Sequence, residues 1–144
     1  MIMKRGIHDV ADVLISSWVV CGAGKKIPTS HGLLDRALKK ALDRGALPEW
    51  ARNKLHFVDS RIGLQCVELA SILEMAQRVN LTAAPNPSYR STEIQVSETV
   101  AKRLLRKLGV TTDDAIEWGD IIKREVETAK KTLEAFPEPV IEEY

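Results

Sequence analysis

Cysteine is scarce in this chain: there are two in 144 residues, Cys21 and Cys66, each inside an apolar run. So few thiols leave no disulfide framework to build on and fit buried cysteines in a reducing compartment. Aromatic residues are sparse too, at 5%, so the core has to be assembled mainly from Leu, Ile, Val and Ala. Long apolar runs are missing. The stretch Val13-Leu14-Ile15-Ser16-Ser17-Trp18-Val19-Val20 is too short to span a bilayer. Lys4 and Arg5 are separated from that stretch by Asp9 and Asp12, and two acidic residues there argue against a signal peptide. The expectation is a cytoplasmic protein with no membrane partner.

Recognisable catalytic chemistry is also thin. The three histidines, His8, His31 and His56, form no tight pair with one another or with cysteine, so the spacing of a zinc site is absent. Gly22-Ala23-Gly24-Lys25-Lys26 lacks the four-residue spacer between glycines, and the Ser or Thr after lysine, that a phosphate-cradling loop uses. Asp9 and Asp113 stand where helices should begin, and capping explains such carboxylates without a metal. Neither a catalytic set, nor a metal, nor a cofactor is expected. One arrangement has reactive potential: Arg52 and His56 stand four apart and would share a helix face. That pairing resembles the motif of HEPN-type ribonucleases, which would imply RNA cleavage, with His56 as acid or base and Arg52 holding phosphate.

What is present is an ordinary globular composition, 44% apolar and 28% charged, in a length that suits one domain. The net charge of +1 hides an asymmetry. Residues 1–110 hold 17 Lys and Arg against 10 Asp and Glu, whereas residues 111–144 hold 4 against 10. A basic body with an acidic end can bind a polyanion, or dock on a basic partner.

Apolar residues recur at helical spacing over 8–21, 33–42, 68–80, 98–108 and 113–135. Thr29 or Ser30 is expected to cap the second of these helices, Gly45 to end it, and Asp35 to pair with Lys39. Pro48 opens a further short helix, and residues 55–67 read as a hairpin of two short strands. Residues 92–97 alternate apolar and polar, as a half-buried strand does. The fold class is therefore helix-rich α+β, with five to six helices and two or three short strands. Pro85 and Pro87 make 82–91 an extended connector. It divides a helical N-terminal lobe (1–81) from a strand-helix-helix lobe (92–136), with a tail (137–144) beyond. A single compact domain is the alternative.

The stretch TEIQVSETVAKRLLRKLGVTTDDAI, residues 92–116, carries the most specific pattern. Ser97 can cap a helix whose outer face is Lys102, Arg103, Arg106 and Lys107; Gly109 ends it, and Thr111 or Thr112 caps the next. IQVSETVAKRLL and then LGVTTDDAI resemble the ribbon-helix-helix family of DNA-binding proteins. The resemblance implies two chains pairing their strands into a ribbon for the major groove, with Gln95, Glu93 and Ser97 at base edges. We therefore expect a non-enzymatic regulatory or adaptor protein, a homodimer, binding DNA or another nucleic acid through Arg90, Gln95, Ser97, Lys102, Arg103, Arg106 and Lys107. The alternatives are a protein-binding module or inhibitor docking through its acidic C-terminal helix, and a ribonuclease-like protein using Arg52 and His56.

Overall fold

A computed structural model describes residues 5–29, 32–61, 63–83 and 91–135. Its elements run α1 (Ile7–Val20), β1 (Lys26–Pro28), α2 (Leu33–Asp43), α3 (Glu49–Arg52), β2 (Phe57–Ser60), β3 (Gly63–Cys66), α4 (Leu69–Arg78), β4 (Ser91–Glu93), α5 (Glu98–Lys107) and α6 (Thr112–Ala135). Among the described residues, six helices and two small antiparallel two-stranded sheets make the helix-rich α+β class that the periodicities predict.

The apolar run of α1 explains its place. Val10, Ala11, Val13, Leu14, Ile15 and Trp18 are buried, and a helix that is apolar on all sides belongs in the middle. It packs against α4, α5 and α6, while α2 lies on α6 and β3. Asp9 starts it by accepting a hydrogen bond from the Gly6 N–H (2.8 Å), as a first-turn carboxylate should. Side chains from both sides of residues 82–91 share one core: Leu34, Leu38 and Ile72 lie in the same cluster as Leu105, Ile122 and Val126.

The long helix α6 crosses α1 at Gly119. A Cβ there would overlap the Ser17 carbonyl oxygen and lie 2.7 Å from Cys21 Sγ. Only a residue with no side chain permits that approach.

Several local expectations change. The N-cap of α2 is Gly32, with no side-chain cap, rather than Thr29; Ser30 lies outside the described residues. Asp35 does not pair with Lys39. Its carboxylate accepts the Cys66 N–H at 2.7 Å, and Lys39 instead meets Asp43 at 3.2 Å. Pro48 does open a helix, but α3 is a single turn ending at Arg52. Val100, an apolar residue of the helix expected over 98–108, is exposed. α2 stops where anticipated, with Arg44 as its C-cap and Gly45 directly after it at φ +86°, where residues other than glycine are strained.

The strand expected over 92–97 is shorter, β4 spanning Ser91–Glu93 with one isolated bridge from Ile94 to Thr82. Its partner is β1, in the register Lys26↔Glu93, Ile27↔Thr92 and Pro28↔Ser91. The 55–67 hairpin forms as expected, with Phe57↔Cys66 and Ser60↔Gly63 in register.

Candidate nucleic-acid interface

The helix α5 is built from both ends. Ser97 caps it, its hydroxyl accepting the Val100 N–H at 3.2 Å. Gly109 at φ +72° ends it, and the Thr111 hydroxyl accepts the Asp114 N–H at 3.1 Å to start α6. Ala101 and Leu105 are buried toward α1. These contacts fix the helix against the body, and therefore fix which residues face out.

Facing out are Lys102, Arg103, Arg106 and Lys107, all exposed. At 100° and 1.5 Å per residue they span an arc of about 140° within about 7.5 Å along the axis. Lys102 pairs with Glu98 at 3.2 Å, an exposed contact of small energetic value. Among the described residues, Arg103, Arg106 and Lys107 have no carboxylate within ion-pair distance. Behind the C-terminal end of α5, the Arg5 guanidinium donates to the Leu108 carbonyl at 3.4 Å and lies 5.4 Å from the Trp50 ring centre. A cation there suits a helix C-terminus. Lys107 also acts on Asp12 of α1. Burial raises the Asp12 carboxyl above its ordinary value, Asp9 adds to that, and His8 and Lys107 oppose it.

The other expected site residues fall elsewhere. Arg90 lies outside the described residues. Gln95 and Ser97 are exposed, but they precede α5, roughly a helix length of 15 Å from Arg106 and Lys107. The backbone of this segment is engaged on both sides. The Ile94 N–H donates to the Lys25 carbonyl at 2.6 Å, while the Glu93 carbonyl accepts from the Ala83 N–H at 2.8 Å and the Gln95 N–H donates to the Leu81 carbonyl at 2.9 Å. A two-chain β-ribbon needs those groups turned toward a second chain. Here they are bonded within one.

The Arg52 and His56 arrangement does not form a helix face. With α3 ending at Arg52, His56 lies beyond the helix, and the two side chains have separate partners. Arg52 donates to the Leu47 carbonyl at 3.2 Å. His56 Nδ1 is 2.7 Å from Glu68 Oε2, and its N–H donates to Glu68 Oε1 at 2.7 Å. Burial works to raise the Glu68 carboxyl, but the bonds from His56 outweigh it and hold it below its ordinary value. Nothing in the sequence pointed to that pair, because its partners are twelve residues apart.

Cavities of about 280 and 460 Å³ flank α4. Neither Arg52 nor His56 lines them. Cys66 borders the larger, and burial pushes its thiol up to about 11, so it is a poor nucleophile at neutral pH. Among the described residues no group of three or more His, Cys, Asp and Glu side chains is arranged to hold a metal ion. No described helix is long and apolar enough to cross a membrane.

The acidic end is only partly a surface feature. Ala115, Gly119, Ile122 and Val126 of α6 are buried. Along the same helix Lys123, Arg124, Lys130 and Lys131 interleave with the carboxylates. Comparison with known proteins supplies no relative: no family model, curated protein or solved structure matches the chain.

Proposed function

We propose that this is a non-enzymatic regulatory or adaptor protein that contacts nucleic acid through the outward face of α5. The observation carrying this reading is the exposed trio Arg103, Arg106 and Lys107, without ion-pair partners among the described residues, on a helix whose inner face is locked in the core. Cations held in place by a packed element need little reordering on binding. Arginine adds a planar fork that matches phosphate oxygens. No aromatic residue lies on α5, so base stacking of the single-strand kind has no platform there. The contact is accordingly with the phosphate backbone of a duplex, and affinity comes from counterion release rather than base readout.

The contact is made by a helix face, since the strand groups of 93–95 are bonded within the chain. Anisotropy of a fluorescently labelled duplex tests the reading. Three to four neutralised phosphates predict binding that weakens with salt, with a slope of log K against log salt of about −3 to −4. Absence of binding at low ionic strength, or binding indifferent to salt, would rule it out.

A further inference from the structure

Asp35 stands where α2, the hairpin and α4 meet. It is half-buried, and its Oδ2 accepts the Cys66 N–H at 2.7 Å, which holds the carboxylate in one orientation against β3. Among the described residues it has no lysine, arginine or histidine within ion-pair distance. The carboxylates around it do: Asp43 has Lys39 at 3.2 Å, Glu68 has His56 at 2.7 Å and Glu74 has Arg78 at 2.8 Å. The bond to Cys66 needs an acceptor and not a charge, and an asparagine oxygen would serve it equally. The first turn of α2 answers about half a unit of negative charge. The remainder sits in a partly buried place, where an unanswered charge is costly. After burial, the charges of Glu68 and Asp35 are what push the Cys66 thiol upward, so the field in this region is negative.

The cavity of about 460 Å³ opens beside this carboxylate, and Asp35 is the one charged residue among its described walls. Leu64 and Val67 line it from the hairpin side, and Leu69, Ala70 and Leu73 from α4. The Thr29 hydroxyl and the Gln65 amide add neutral polar groups. The volume lies in the range of small-molecule sites, roughly 300–1,000 Å³. Apolar walls with a single oriented charge define both parts of a ligand: its body is apolar, and its head is a cation that donates hydrogen bonds.

We propose that this cavity binds a small organic ammonium, a primary or secondary amine on an apolar or aromatic body. The ammonium N–H groups donate to Asp35 Oδ1, to which no described residue donates, and the body lies on Leu64, Leu69 and Leu73. A quaternary head has no N–H to give, and one carboxylate is too few ligands for Ca²⁺ or Mg²⁺. Asp35 thus has two duties: one oxygen fastens the hairpin and the other reads the ligand.

Phenylbutylamine and phenylbutanol, each with its polar group at the chain end, have the same shape and differ in charge. Proton–nitrogen correlation spectra of the full chain should show the amine shifting amides between residues 64 and 73, with a Kd below about 1 mM. The alcohol should bind roughly tenfold more weakly or worse. Asp35→Asn keeps an acceptor for the Cys66 N–H, so its circular dichroism should match the wild type while its affinity for the amine falls to that of the alcohol. Ala70→Lys, at an exposed position of α4, puts an ammonium and its stem into the cavity and should abolish binding of both probes. No shifts up to about 10 mM amine, equal binding of amine and alcohol, amine affinity unchanged in either variant, or shifts centred away from the cavity walls would overturn the inference.

Discussion

Replacing Gly119 by alanine tests the packing on which the orientation of α5 and α6 depends. The added methyl would overlap the Ser17 carbonyl oxygen and sit 2.7 Å from Cys21 Sγ and 2.8 Å from Cys21 Cβ. The Cys21 side chain could turn away; the Ser17 oxygen is backbone and can retreat only if α1 and α6 separate. Both helices carry core residues on their facing sides, among them Val13 and Ile122, so separation opens contacts along the crossing. Overpacking of this kind costs about 1–3 kcal/mol. The overlap with a backbone atom puts the cost in the upper part of that range, about 2–3 kcal/mol; alanine returns up to about 1 kcal/mol of helix propensity over glycine, which leaves a net loss of about 1–2 kcal/mol. For a chain of this length that lowers Tm by roughly 3–8 °C. Urea denaturation followed by circular dichroism should show a lower midpoint at unchanged m-value. A Gly119→Ala protein as stable as the wild type would refute the close crossing. Gly109→Ala is the comparison: its φ is +72° but no atom lies within 4 Å of the new Cβ, so only backbone strain of about 1 kcal/mol is at stake.

Asp12→Asn should be stabilising at pH 7. The Asp12 carboxyl titrates above its ordinary value in the fold, so its ionised form is the costlier one there, and asparagine removes that cost. Below about pH 3.9, the usual value for an unfolded aspartate, both states are protonated and the advantage should vanish; paired melts at pH 7 and pH 3 show whether it does. Truncation after residue 110 should abolish cooperative unfolding, since it removes buried Ala115, Ile122 and Val126. A truncated chain that keeps a sharp thermal transition would instead make α6 a dispensable docking arm.

The helices were legible because each carries its own pattern. Leu33, Leu34, Ala37, Leu38 and Ala41 trace the buried stripe of α2, and Ser97 and Gly109 mark both ends of α5 within a few residues of chain. The small sheets were only half legible. The β2–β3 hairpin is local and was visible. β1 was not, because three residues ending in Pro28 carry no strand period, and its pairing with β4 joins positions more than sixty residues apart. The same kind of separation hid Asp35 on the Cys66 N–H. Arg52 and His56 looked like one helix face because spacing assumes the helix continues; Asn53 ends it. Gly119 reads in sequence as a weak point in α6, and only the crossing with α1 shows why it is there. For the candidate interface, charge and helical phase placed Lys102, Arg103, Arg106 and Lys107 together, while Ser97 is the N-cap of the same helix and Gln95 lies just before it, its N–H bonded to the Leu81 carbonyl.

The central claim, that α5 is the contact surface, is tested most directly by two charge reversals of equal size. One variant carries Arg103→Glu, Arg106→Glu and Lys107→Glu on α5. The other carries Lys40→Glu, Lys54→Glu and Lys130→Glu at positions elsewhere on the surface. Both change net charge equally, so a general electrostatic effect should weaken duplex binding alike in the two. Titrating a labelled duplex at low ionic strength, we expect the α5 variant to bind far more weakly and the control to keep most of its affinity, with the salt slope of the residual binding reduced by about 3 only in the former. Equal losses in the two variants, or binding retained by the α5 variant, would contradict the assignment.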